Sequence, residues 1–239
     1  MNVAVIFAGG SGQRMNHGGI PKQFLEFRGK PIIIYTLELF ENHPEIDAIT
    51  IACIEEWIPH LSSLIKQFRI SKVKGVVKGG NTSQDSIRNA LECTAQYAPE
   101  NSVVLIHDGV RPLITPSTIS ENILTVKKYG TCITCVPAIE TILVKTGESK
   151  LSIPKREDCR LARAPQSFFL RDILKAQRRA VEEGRRDFID CCTLMHHYGY
   201  ELHTVEGPVE NIKITTPTDF YLFKAWVDIR NADLCQDPR

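Results

Sequence analysis

The sequence predicts an α/β protein: a doubly wound, mostly parallel, Rossmann-like sheet with a β-hairpin arm projecting from it. Three observations lead there. Short apolar runs alternate with helix-patterned segments as far as Val136. Glycines and prolines stand at the junctions. Charged and glycine-rich motifs follow the carboxyl ends of the apolar runs, which is where such sheets bind ligands.

Asn2–Ala8 is almost wholly apolar and reads as a strand buried on both faces. Pro31–Asn42 is helix-like, with Pro31 first and Ile33, Ile34, Leu37 and Phe40 along one side. A strand at Ala48–Cys53 and a helix at Trp57–Phe68 follow. A third strand, Val73–Lys78, runs into Gly79-Gly80, and Asp85–Gln96 is the next helix. Ser102–His107 is a fourth apolar strand. Thr115 caps a helix that starts at Pro116 and ends near Gly130. Thr131–Val136 is a fifth strand.

Beyond Ala138 the pattern changes. Short β-like pieces, Thr141–Val144 and Leu151–Ile153, flank a turn at Lys145–Lys150. Residues 138–163 therefore read as a hairpin arm. Ala164–Phe168 returns to the core. Helices are expected at Leu170–Glu183, Asp190–Tyr198 and from Thr216-Pro217 through Trp226, with a late strand at Glu201–Glu206. The length of 239 residues suits a single domain spanning 1–239.

Composition narrows the function. The formal net charge is +1, so no global field draws the chain to nucleic acid or anionic membranes. No apolar run is long enough for a membrane helix. Met1-Asn2-Val3 leads straight into the first strand without a signal sequence, so a cytoplasmic location is expected. Of the eight cysteines, most lie in apolar runs and read as buried thiols. Cys132 and Cys135 have metal-like spacing, but on a strand they face opposite sides.

The most informative stretch follows the first strand. Ala8-Gly9-Gly10-Ser11-Gly12-Gln13-Arg14 brings three glycines and a cation, and Lys22 stands a little further on. Glycines let backbone N–H groups approach an anion, and cations neutralise it. The spacing is not that of a P-loop, where Lys-Ser/Thr would follow the last glycine. Nor is it a dinucleotide fingerprint, because Met15 stands where the third glycine belongs. Strand three delivers Gly79-Gly80-Asn81-Thr82-Ser83, and strand four delivers His107-Asp108-Gly109-Val110-Arg111-Pro112. Arg14, Lys22, Arg111 and Lys213 would surround one carboxylate, Asp108. That set suits a nucleoside triphosphate with Mg²⁺. An incoming phosphate could then attack the α-phosphorus while the cations screen its repulsion.

In these segments, together with Pro21-Lys22-Gln23-Phe24, Asp85-Ser86, Pro165-Gln166-Ser167-Phe168 and Asn211-Ile212-Lys213-Ile214-Thr215, the chain resembles the sugar-alcohol-phosphate cytidylyltransferases. Two branches are close, one acting on ribitol 5-phosphate and one on 2-C-methyl-D-erythritol 4-phosphate. The resemblance covers essentially the whole chain and implies the nucleotidyltransferase fold. It implies that Arg14 and Lys22 contact the triphosphate and that Lys213 lies near the α-phosphate. Ala8, Gly9, Gly10 and Gly12 would line the nucleotide, and Gly80 and Ser86 would read the cytosine. Asp108 would lie by the ribose and the metal. Arg156, with Arg111 and Thr141, would hold the second substrate. The arm would cross to a partner subunit of a homodimer. The products would be a CDP-alcohol and pyrophosphate.

Two departures favour the ribitol branch. Ser83 stands where the methylerythritol branch usually has arginine, and Ala164 stands where it has threonine before Pro-Gln. Cys53-x-x-x-Trp57 and Pro165-Gln166-Ser167-Phe168 also look more like the ribitol branch. Two competing readings remain open: a nucleotidyltransferase using another base or a sugar 1-phosphate, and a non-catalytic nucleotide-binding protein.

Overall fold

The computed structural model describes residues 1–9, 19–147 and 150–235, with side chains through Arg230. Among the described residues one sheet is built from β1 (Asn2–Ala8), β2 (Ala48–Cys53), β3 (Val73–Lys78), β4 (Val103–Asp108), β5 (Thr131–Pro137), β6 (Arg160–Phe169) and β7 (Thr204–Glu206). Their order across the sheet is β7-β5-β6-β4-β1-β2-β3. The pairs β4–β1, β1–β2, β2–β3 and β7–β5 are parallel. β6 runs antiparallel between β4 and β5. The expected mostly parallel sheet is present.

Helices α1 (Ile32–Glu41), α2 (Ile58–Gln67), α3 (Ser83–Thr94), α4 (Pro116–Tyr129), α5 (Leu170–Glu182), α6 (Cys191–His197) and α7 (Pro217–Cys235) cover the two faces. The alternation along β1 shows how. Ala4 and Ile6 pack with Ile33, Leu37 and Phe40 of α1. Val3 and Val5 pack on the other side with Ala90 and Leu91 of α3 and Ile173 of α5. Val3 through Ile6 have no exposed surface. Each such valine or isoleucine contributes about 1.5–3 kcal/mol relative to exposure, so a strand apolar at every position is stable only with both faces covered.

Several boundaries shift from the sequence reading. Pro31 is the extended residue before α1, and the helix starts at Ile32. A 3-10 turn at Glu55–Trp57 precedes α2. α3 begins at Ser83 rather than Asp85, because Thr82 and Asp85 form a reciprocal capping box. α7 runs past Trp226 to Cys235. α4 matches its reading: Thr115 accepts from the Thr118 N–H, and Gly130 closes the helix at φ +90°.

The larger difference is β6. The sequence suggested only a return to the core at Ala164–Phe168, yet the strand extends from Arg160 to Phe169 through the middle of the sheet. Pro165 argues against a central strand. The chain accommodates it with a register shift between Ala162 and Gln166. The arm is also narrower than expected. Its ladder is Val144–Lys145 against Leu151–Ser152, and Thr141 lies outside it.

The seven cysteines whose side chains are described are free thiols. Burial pushes Cys132 up to about 12, far from a reactive thiolate. Among the described residues no helix is long and apolar enough to cross a membrane.

Candidate active site

The crevice lies beyond the carboxyl ends of β1, β3 and β4. The loops after β1 and β3 pack backbone against backbone. A Cβ on Gly79 would lie 3.2 Å from the Gly9 Cα, and a Cβ on Gly9 would lie 2.6 Å from Ser86 Oγ. Only glycine allows this approach. At Gly80 a Cβ would fall 2.1 Å from the Asp85 Cβ.

Ser86, in the first turn of α3, organises the β3 loop. Its Oγ accepts from the Gly80 N–H at 3.0 Å and donates to the Thr82 carbonyl at 3.0 Å. The residue is 2% exposed. Asp85 Oδ2 accepts from the Thr82 N–H and hydroxyl, at 3.2 and 3.0 Å. These bonds fix a cavity of about 340 Å³ lined by Phe7, Gly9, Gly80, Asn81, Thr82, Ser83 and Ser86. Ala8 closes β1 beside it, and its carbonyl accepts from Gln23 Nε2 at 2.7 Å. That bond ties the short Lys22–Phe24 turn, and so Lys22, to the end of β1.

The second half of the crevice centres on Asp108. Its Oδ2 accepts from Arg111 Nε at 2.7 Å, and its Oδ1 faces Lys213 Nζ at 2.6 Å. Burial pushes this carboxyl up, but Arg111 and Lys213 outweigh it and hold the group well below the usual carboxylate range. Asp108 is therefore an anion at any physiological pH. Lys213 reaches it because Ile214 packs with Val110, Leu113 and Phe223. The Ile214 N–H also donates to the Val110 carbonyl at 3.0 Å. Arg111 NH1 donates to the Asn211 carbonyl at 2.9 Å, which locks the two segments together. Before Asp108, the buried His107 bonds through Nε2 to the Arg111 carbonyl at 3.0 Å.

Phe7 joins the halves. It pairs in register with Asp108 across β1 and β4, it lines the cavity, and Lys213 Nζ lies 5.7 Å from its ring centroid.

The structure thus gathers Ala8, Gly9, Lys22, Gly80, Ser86, Asp108, Arg111 and Lys213 along the strand ends. Gly10, Gly12 and Arg14 lie outside the described residues. Arg156 and Thr141 are exposed on or beside the arm. Arg156 NH1 donates to the Ile139 carbonyl at 3.3 Å, and among the described residues no hydrogen bond or ion pair links either residue to the Asp108 cluster. Sequence reasoning missed Arg163, which lies close enough to Arg111 to feel its charge. The sequence reading places it as the last residue of the arm, flanked by Ala162 and Ala164 just before the return to the core.

For a metal, Asp108 is the available carboxylate. Among the described residues no cluster of three or more histidine, cysteine or acidic side chains exists. A single carboxylate fits Mg²⁺ carried by a triphosphate, since that ion takes most of its oxygens from phosphates and water.

A glycine-walled cavity beside a carboxylate flanked by cations, at the open ends of a mostly parallel sheet, is the site of a nucleotidyltransferase. Comparison with known proteins agrees. Residues 2–228 match the family model of 2-C-methyl-D-erythritol 4-phosphate cytidylyltransferase (IspD). A ribitol-5-phosphate cytidylyltransferase of Streptococcus agalactiae is 51% identical over 96% of this chain and 97% of its own. One from Vibrio parahaemolyticus is 52% identical over 95% and 96%. A 2-C-methyl-D-erythritol 4-phosphate cytidylyltransferase of Clostridium botulinum is 36% identical over 92% and 95%. Among solved structures, the Thermus thermophilus 2-C-methyl-D-erythritol 4-phosphate cytidylyltransferase superposes with a TM-score of 0.75 at 25% identity, covering 95% of this chain and all of that one. The chain belongs to this family of CTP-dependent cytidylyltransferases.

Proposed function

We propose that the protein condenses CTP with a polyol phosphate, D-ribitol 5-phosphate in the leading reading, to give CDP-ribitol and pyrophosphate. The observation that carries this is the Asp108 carboxylate held between Arg111 and Lys213 beside the glycine-walled cavity. The higher identity to ribitol-5-phosphate than to methylerythritol-phosphate cytidylyltransferases, 51% against 36%, supports the choice of acceptor.

The cavity beneath Gly80 and Ser86 is the place for the cytosine, where backbone groups held by Ser86 can meet its amino group and carbonyl. Ala8, Gly9, Gly10 and Gly12 would pass the triphosphate along the end of β1, with Arg14 and Lys22 as its cations. An oxygen of the polyol phosphate then forms a bond to the α-phosphorus. The bond from that phosphorus to the β-phosphate oxygen breaks, and pyrophosphate leaves with the electron pair. No protein nucleophile is needed. Two anions must meet, and positive charge fixed in place lowers that barrier most effectively. Lys213 suits this role because Asp108 fixes its position without consuming all its hydrogen-bond donors. Mg²⁺, held by Asp108 and the phosphates, would supply further neutralisation of the phosphate oxygens.

The second substrate would be held by Arg111, with Arg156 and Thr141 reaching it from the arm of a partner subunit. Ile139, Leu143, Leu151 and Ile153 are all exposed along the arm, an apolar length that a homodimer would cover. We place the enzyme in the cytoplasm.

The test is turnover by purified protein with CTP and Mg²⁺, comparing ribitol 5-phosphate and 2-C-methyl-D-erythritol 4-phosphate and reading pyrophosphate and the CDP-alcohol. Faster turnover of ribitol 5-phosphate is expected. Strong UTP turnover with negligible CTP turnover would overturn the reading.

A further inference from the structure

Arg163 stands at the edge of this site. It is half-buried on β6. Gln166 of that strand pairs with Ile106 on antiparallel β4, so the residues before Gln166 run out past the end of β4, toward Asp108. The carbonyl of the next residue, Ala164, accepts from Asn211 Nδ2 at 2.8 Å, and the Asn211 carbonyl accepts from Arg111 at 2.9 Å. Hydrogen bonds thus connect the strand carrying Arg163 to the Asp108 cluster.

The Arg163 guanidinium has no ion pair and no hydrogen bond among the described residues. Residues 10–18 contain neither Asp nor Glu. Burial lowers its pKa, and the neighbouring Arg111 lowers it further, yet an arginine remains charged. Holding a partly buried guanidinium beside another is costly unless an anion serves both. Asp108 already pairs with two cations, Arg111 and Lys213, and Arg163 adds a third positive charge beside Arg111. The surplus matches a phosphomonoester dianion.

We propose that Arg163 grips the phosphate of the second substrate, as a fork supplied by the same chain that holds Asp108 and Lys213. This rests on the cytidylyltransferase reading. It differs from the role given to Arg156, which would come from the arm of a partner. A guanidinium carried on this strand can hold two oxygens of a phosphate and leave a third facing the α-phosphorus.

The experiment measures three constants with CTP, Mg²⁺ and D-ribitol 5-phosphate: KM for each substrate, and Ki for inorganic phosphate competing with the polyol phosphate. In Arg163→Met, KM for the polyol phosphate and Ki for inorganic phosphate should rise together by about 10- to 100-fold. KM for CTP should stay within about twofold, which also reports an intact fold. Arg163→Lys should recover part of the loss, because it keeps the charge without the fork. If the methionine variant does not fold, the lysine variant alone should raise KM for the polyol phosphate severalfold. Unchanged constants, or a rise confined to CTP, would overturn the assignment. An inactive wild-type enzyme would instead overturn the cytidylyltransferase reading, and this proposal with it.

Discussion

Lys213 Nζ lies 2.6 Å from Asp108 Oδ1, although one residue follows β7 and the other ends β4. The carboxylate is 5% exposed, while the lysine side chain keeps 38% of its surface open. Asp108 thus works as a fixed anchor and Lys213 as the cation it aims.

A lysine aimed in this way contributes most when charge builds up between attacking and leaving phosphates. In Lys213→Ala, kcat should fall by about 10²- to 10³-fold, the range for losing one preorganised donor to a developing anion. KM for CTP should change by less than about threefold, because ground-state binding spreads over the glycine loops. Steady-state kinetics at saturating acceptor reads both constants. A variant with wild-type kcat would remove Lys213 from the chemistry.

The halves of this site were not equally legible in sequence. Gly9, Gly79, Gly80 and Asp108 each stand at the end of an apolar run, Lys213 follows a late strand, and parallel topology sends such positions to one end of the sheet. Their convergence is legible in the sequence. β6 could not be read that way, because Pro165 and two arginines break its apolar pattern and only pairing with β4 and β5 makes it a strand. Arg163 was hidden for the same reason. A lone arginine means nothing until its strand is seen to run past the end of β4, near Arg111. Arg111 is expected near Asp108, but the direct bond from its Nε to Oδ2 is not. An i, i+3 spacing outside a helix fixes no contact, and it is the Asn211 carbonyl that holds the guanidinium in place.

The hydroxyl of Ser86 supports the cavity floor without being exposed to it widely. In Ser86→Ala the Gly80 N–H loses its acceptor and the Thr82 carbonyl loses a donor. Leaving such groups unpaired costs about 1–3 kcal/mol. If the loss falls on the nucleotide-bound state, KM for CTP should rise by about tenfold with KM for the polyol phosphate unchanged. Equal rises in both would mean that Ser86 only packs α3 against β1 and does not shape the nucleotide site.

His107 gives the protein a pH dependence that can be separated from catalysis. Burial lowers its pKa from the ordinary 6.5 to about 4. The Arg111 carbonyl only accepts, so Nε2 carries the proton of the neutral ring. Nδ1 is buried without a partner among the described residues, and Phe40 lies edge-on at 5.2 Å, so the folded site offers a second proton no counterpart. Between pH 6.5 and pH 4 the unfolded chain therefore binds more protons than the native one. Stability rises with pH across that window and is lost as pH falls through it. From pH 7 to pH 5 this one group should remove about 2 kcal/mol of unfolding free energy. Asp108 adds no slope there. Its folded pKa is depressed, so its contribution is present above the unfolded value of 3.8 and is lost only as pH falls below that. His107→Gln keeps an N–H donor for the Arg111 carbonyl but cannot titrate. Urea unfolding at the two pH values should give the variant a loss smaller than that of the wild type by that amount. Identical losses in the two proteins would show that the native ring takes up its proton as readily as the unfolded one.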